Sequence, residues 1–121
     1  MWAAVAANNL AYLYTLRSEK LDTALQLAQT AKQKLPDDPA IIDTLGWVYY
    51  KKNLPDLAIP ILRQSVEREP SNYLYHYHLG LAVSRTGDKP QARASLERAL
   101  QLKSTGDEAD DARRILATVK G

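Results

Sequence analysis

The chain has 121 residues, of which 45% are hydrophobic and 25% are charged. These values match one ordinary globular domain and exclude collagen-like and extensively disordered proteins. The 16 basic and 14 acidic residues leave a net charge of +2, far from the concentrated positive field typical of nucleic-acid binding. Because cysteine does not occur, disulfides, thiol catalysis and thiolate zinc sites are excluded as well.

The first 16 residues carry no charge and superficially resemble a secretion signal. No basic residue precedes the apolar stretch, however. Asn8 and Asn9 interrupt it before it reaches the roughly 18 residues needed to span a bilayer. We therefore expect no membrane insertion by this segment and interpret it as the first helix of the fold.

A repeat with a period of 34 residues runs through the chain. Leu45-Gly46 recurs as Leu79-Gly80, and small residues recur in phase at Ala24, Ala58 and Ala92. The first copy of the upstream motif, Asn9-Leu10-Ala11, lies 35 residues before Thr44-Leu45-Gly46. The sequence therefore predicts one inserted residue in the first unit, within residues 17–20, where an extra loop residue costs little.

Each half of the repeat has the spacing of a helix. Ile42, Leu45, Gly46 and Tyr49 fall at i, i+3, i+4 and i+7, which places them on one helical face. Side chains that favour helix N-caps precede three of the helical segments, at Asp38, Asn72 and Asp88. Gly87-Asp88 predicts the turn inside the third unit. The pattern indicates a helix pair in every unit.

A helix pair every 34 residues, with small residues at fixed positions and a closing proline at Pro36 and Pro70, resembles the tetratricopeptide repeat. The third unit departs from the pattern, because Ser104 stands at its closing proline position. The resemblance implies an all-α, right-handed solenoid of three helix-turn-helix units, at about residues 2–38, 39–72 and 73–106.

Residues 107–120 form an additional amphipathic segment. Its apolar stripe consists of Ala109, Ala112, Leu116 and Val119. Solenoids cover their terminal apolar faces with a helix that has a polar outer side. We therefore predict a C-terminal capping helix over 107–120.

The sequences at residues 8–14 and 43–52 also resemble the C-terminal repeats of larger bacterial tetratricopeptide repeat proteins. The resemblance implies that this chain is the C-terminal part of a longer array. It leaves both the bacterial cytoplasm and the periplasm open as locations.

The sequence offers little support for catalysis. It contains no glycine-rich phosphate loop, serine nucleophile elbow or HExxH motif. His76 and His78 lie two residues apart, so on a helix they point in different directions and cannot share a metal ion. We expect His76 to pack in the core with a hydrogen bond, His78 to face a partner, and Asp110 and Asp111 to be solvated. No cofactor and no metal are predicted.

In this family the inner stripe of the first helices lines a concave surface that binds extended peptides or partner helices. Carried over to this sequence, the resemblance implies a groove formed by Asn8, Tyr12, Asp43, Trp47, Tyr50, Lys51, Tyr77, His78, Leu81 and Arg85. Contiguous exposed aromatic side chains are typical of recognition surfaces. The alternative for Trp47 is that it fills space between neighbouring first helices.

The best-known docking mode of the family, a basic clamp on a peptide's terminal carboxylate, is not reproduced. At its five positions stand Asn8, Tyr12, Thr44, Leu74 and His78. Binding of chaperone tails is therefore disfavoured.

The sequence thus predicts a non-catalytic scaffold that binds a protein or peptide in its groove. The alternative is a self-association module, in which the helix near Trp2 meets another copy to form a weak homo-oligomer. RNA binding ranks below both because the inner stripe offers only Lys51 and Arg85 as cations. An enzymatic function ranks last.

Overall fold

The computed structural model describes residues 2–119, and this part of the chain is all-α, with seven helices and no strand. The helices are α1 (Trp2–Arg17), α2 (Leu21–Lys34), α3 (Pro39–Lys51), α4 (Pro55–Arg68), α5 (Tyr73–Arg85), α6 (Lys89–Leu102) and α7 (Asp107–Val119). Within this part of the chain, no helix combines the length and the apolarity that crossing a bilayer requires.

Three of the helices begin at the side-chain caps that the sequence predicts. In each case a side-chain oxygen accepts a hydrogen bond from a backbone amide of the first turn, which otherwise has no partner in the helix. The pairs are Asp38 with Ala40 at 2.9 Å, Asn72 with Leu74 at 3.0 Å, and Asp88 with Gln91 at 3.2 Å. All three predicted N-caps are confirmed.

The structure also locates the inserted residue of the first unit. The amide of Glu19 donates to Tyr14 O, and the amide of Leu54 donates to Tyr49 O in the same way. Equivalent residues of the first and second units are therefore still 35 positions apart at Glu19. Lys20 O accepts from Ala24 N as Leu54 O accepts from Ala58 N, so the offset is 34 from Lys20 onward, and Glu19 and Lys20 together correspond to Leu54. Lys20 takes a left-handed backbone conformation with φ of 52°. The insertion therefore lies within the predicted stretch.

Small residues allow the two helices of a pair to approach closely. A Cβ atom built on Gly46 would lie 2.7 Å from Leu62 Cγ, and one built on Gly80 would lie 2.7 Å from Leu96 Cγ. Ala58 is fully buried in the same core. Such distances leave no room for a side chain, which explains why the small residues recur with the period of the repeat.

The helix pairs stack against one another, so a helix in the middle of the stack is covered on more than one side. Helix α3 packs against α1, α2, α4 and α5, and nine of its 13 residues are buried. Helix α7 packs against α6 and α5 and buries Ala109, Ala112 and Val119. The predicted capping role of α7 follows from these contacts. Lys120, the last residue of the predicted cap, lies outside the described residues.

Candidate functional site

A pocket opens on the face that the first helices of the three pairs form together. Its volume is about 390 Å³, and it lies between the middle of α1 and the N-terminal halves of α3 and α5. The lining residues are Asn8, Asn9, Tyr12, Leu13, Ala40, Asp43, Thr44, Asn72, Leu74 and Tyr75. We call this set the groove pocket. Its size is in the usual range for ligand sites.

Three of the ten predicted groove residues line this pocket, namely Asn8, Tyr12 and Asp43. Sequence reasoning did not identify Leu13, Asn72 or Tyr75 as part of a site. The sequence did indicate where Asn72 lies, because its predicted N-cap role places it at the start of α5, which borders the pocket. The other seven predicted residues lie outside the lining.

Asp43 and His78 form a buried pair behind the groove pocket. His78 Nδ1 lies 2.8 Å from Asp43 Oδ2 and 3.0 Å from Oδ1, and the two residues are 2% and 1% exposed. Burial raises the pKa of Asp43, whereas the neighbouring His78 lowers it. The pair joins α3 to α5, because each residue satisfies the polar group of the other, and Asp43 keeps a small exposed area at the pocket wall.

Trp47 continues this buried cluster along α3. Its ring stacks on His78 at a centroid distance of 3.9 Å and on Tyr50 at 4.7 Å, with interplanar angles of 16° and 11°. Trp47 is 8% exposed and Tyr50 is 9% exposed. The expectation that these two rings form an exposed surface is therefore wrong. The alternative for Trp47, filling space between neighbouring first helices, describes its position.

The two histidines have the reverse of the predicted burial, although His76 makes the hydrogen bond predicted for it. His78 is buried against Asp43 and does not reach the surface. His76 is only half-buried, and its Nε2 lies 2.8 Å from the carbonyl oxygen of Pro70. The reversal arises because α3 packs against α5 and covers the flank that carries His78. Leu81, also predicted to face the groove, is buried as well.

The predicted groove cations contact aromatic rings of the chain itself. The guanidinium of Arg85 lies 4.1 Å from the ring centroid of Tyr50, and it donates to Asn53 Oδ1 at 3.1 Å. Lys51 Nζ lies 5.9 Å from the centroid of Trp47. Both cations therefore already interact with groups of the protein, in arrangements typical of cation–π contacts.

Tyr77 connects the first helices to the cap. Its hydroxyl donates to Asp111 Oδ2 at 2.5 Å, and Asp111 also pairs with Arg114. Burial and the adjacent Asp111 carboxylate raise the pKa of Tyr77. The expectation that Asp111 is simply solvated is wrong. Asp111 is half-buried and attaches α7 to α5.

The site offers hydrogen-bond acceptors and apolar walls. Across residues 2–119, no three His, Asp or Glu side chains are grouped so that they could hold a metal ion. Two buried polar atoms, Asn8 Oδ1 and Trp47 Nε1, have no hydrogen-bond partner within that span. The arrangement is suited to binding, and the groove pocket is its accessible part.

Comparison with known proteins supports the resemblance found in the sequence. A family model of the tetratricopeptide repeat matches residues 44–109, which is more than half of the chain. The TPR repeat-containing protein PA4667 of Pseudomonas aeruginosa is 36% identical over 77 residues, covering 64% of this chain. The matched region is only 13% of the length of that protein.

Solved structures share the architecture. MamA MSR-1 superposes with a TM-score of 0.77 and 25% identity, covering 96% of this chain and 64% of MamA. The first TPR of Spaghetti (RPAP3), bound to the HSP90 peptide SRMEEVD, has a TM-score of 0.83 and 18% identity. That superposition covers 98% of this chain and 94% of the other. This chain and the two solved structures thus share the α-solenoid architecture.

Proposed function

The chain belongs to the tetratricopeptide repeat family, and we propose that it is a non-catalytic scaffold that binds an extended peptide of a partner protein in its groove. The RPAP3 repeat shows that a chain of this fold can hold a peptide. The matched relative PA4667 is several times longer than this chain. We therefore assign the binding role to this segment and not to a whole protein.

The observation that carries the proposal is the groove pocket itself. Its volume of about 390 Å³ accommodates one or two side chains of a peptide. Three separate helices supply its lining, so a peptide that lies across them contacts all three helix pairs. Leu13, Leu74 and Ala40 provide apolar contact area, and polar groups at Asn8 and Thr44 can orient a ligand.

A substitution that fills the pocket tests this function without disturbing the core. Ala40 is exposed in the first turn of α3 and lines the pocket, so Ala40→Trp should occupy the space of the ligand. We expect affinity for peptides selected from a displayed random library to fall by about tenfold or more, the loss expected when a central contact is removed. Isothermal titration calorimetry measures this change.

Ala94→Trp is the matched control, because Ala94 is also exposed but lies on α6, outside the pocket. It should bind the selected peptides as the parent does, and both variants should melt at the parent's temperature. If Ala40→Trp retained full affinity, the peptides would bind elsewhere and the proposed groove function would be refuted.

A second function, weak self-association, is favoured by the outer face of α1. Trp2 is 87% exposed and Leu13 is 53% exposed. Val48, which lies 35 residues after Leu13, is fully buried in a core cluster with Ala24 and Ala28 of α2. Leu13 thus occupies the position on α1 that Val48 occupies on α3, where it packs against the preceding helix α2. We propose that a second copy covers this face.

Sedimentation velocity over a wide concentration range tests the association. The parent should show a sedimentation coefficient that rises with concentration, because pairing removes apolar surface from water. Trp2→Ser and Leu13→Ser should abolish the rise. Leu57→Ser is the matched control, since Leu57 is 52% exposed but lies on α4. A parent that stays monomeric at every concentration would exclude this function.

A further inference from the structure

The polar groups of the groove pocket are side-chain amides, hydroxyls and a single carboxylate. Asp43 is the one charged residue of the lining, and no lining residue within the described span carries a positive charge. Asp43 lies at the inner end of the pocket, in contact with the buried His78. An anionic ligand entering here would meet the Asp43 carboxylate first, because His78 is buried behind it and does not line the pocket, so the pocket is electrostatically mismatched to a peptide carboxylate.

Two acceptors in the pocket have unused capacity. Asn8 Oδ1 is buried and has no hydrogen-bond partner among the groups that the structure describes. The Asp43 carboxylate can accept about four hydrogen bonds, and His78 Nδ1 is the one donor found on it within residues 2–119. A buried acceptor without a partner costs free energy, which a ligand that brings a donor recovers.

The pocket walls suit the stem of a long basic side chain. Leu13, Leu74 and Ala40 are apolar, and the rings of Tyr12 and Tyr75 complete the lining. Lysine and arginine bury their methylene stems on apolar surface and place their cations over aromatic rings.

The tyrosines of the pocket are in a negative electrostatic environment. Burial and the carboxylates of Asp43 and Glu108 together raise the pKa of Tyr12 to about 12. Burial also raises the pKa of Tyr75, together with the carboxylates of Glu69, Asp43 and Asp38. The neighbouring carboxylates thus add to the effect of burial on the pKa values of both hydroxyls.

From this geometry we propose that the groove pocket selects a cationic side chain, arginine or lysine, of the partner peptide. This inference rests on the proposed function of peptide binding. The cation pairs with Asp43 and donates to Asn8 Oδ1, while its stem packs on the apolar wall. The ligand preference is therefore opposite in charge to that of a carboxylate clamp.

NMR titration with small probes tests the selectivity directly. The probes are Nα-acetyl-arginine amide and the corresponding lysine, norleucine and glutamate amides. We expect the arginine or the lysine probe to shift the amide signals of Asn8, Thr44 and Leu74. The norleucine probe should bind about tenfold more weakly, the loss expected for a missing charge-assisted hydrogen bond. The glutamate probe should not shift these signals.

A charge change inside the pocket provides the decisive variant. Asn8→Lys should weaken binding of the basic probes about tenfold or more and allow the glutamate probe to bind. Gln26→Lys is the matched control, because Gln26 is exposed on α2, outside the pocket lining, and its substitution adds the same charge. Circular dichroism at neutral pH confirms that both variants are folded.

Equal binding of the basic and glutamate probes, or binding of neither basic probe at the pocket, would overturn the inference. The proposed scaffold function has its own test. If library-selected peptides still bind at the pocket and Ala40→Trp removes them, the scaffold function stands and only the cation preference fails. If the peptides also ignore the pocket, both fail.

Discussion

His78→Ala should destabilise the fold by about 3–5 kcal/mol at neutral pH, because it leaves the Asp43 carboxylate buried without its partner. Burial already raises the pKa of Asp43, and removal of His78 takes away the group that lowers it. A carboxyl with a raised pKa binds its proton more tightly in the folded state. The stability of the variant should therefore rise as the pH falls through the raised pKa of Asp43 towards the ordinary carboxyl value. Urea denaturation at several pH values measures both effects.

The double variant Asp43→Leu/His78→Leu separates the cost of an unpaired charge from the value of the pair. Replacing both partners of a buried ion pair with apolar residues is often close to neutral in stability. The double variant should thus be more stable than His78→Ala and show little dependence on pH. A His78→Ala protein as stable as the parent would show that the pair does not join α3 and α5 as described.

Trp47→Ala should also cost about 3–5 kcal/mol, the range found when a buried aromatic residue is truncated. The indole of Trp47 is sandwiched between His78 and Tyr50, so its removal leaves a cavity between α3 and α5. Thermal and urea denaturation report the loss. Because Trp47 is buried, any weaker peptide binding by this variant must be interpreted together with its folded fraction.

Trp47→Phe is the appropriate comparison for this residue. The indole Nε1 has no hydrogen-bond partner within residues 2–119, so phenylalanine loses no hydrogen bond and keeps an aromatic ring in the stack. We expect it to cost less than half as much as Trp47→Ala. If the two substitutions were equally damaging, packing of the ring would not be the reason for its burial.

The helical architecture could be predicted from the sequence because its causes are local. Close approach of paired helices requires small residues at Gly46 and Ala58, and these recur with the period of the repeat. The caps at Asp38, Asn72 and Asp88 act within one helical turn. Each of these signals depends on a few neighbouring residues, so none requires knowledge of how the pairs stack.

The environment of the site residues could not be predicted in the same way. A single helical stripe indicates which face packs on the partner helix of the same pair. It does not show that α3 and α5 also cover each other, which buries Asp43 and His78 in one site. The burial of Trp47 follows from this second contact. The groove pocket also depends on three helices at once, which explains why Tyr75 was not identified.

Amide chemical shifts can map where on the protein a peptide binds. The protein, labelled with ¹⁵N, is titrated with a peptide selected from a displayed random library. Binding in the groove pocket predicts that the largest shifts occur at Asn8, Tyr12, Thr44, Leu74 and Tyr75, on the three first helices. Shifts concentrated on α2, α4 and α6, with these five amides unchanged, would show that the peptide does not bind in the groove pocket.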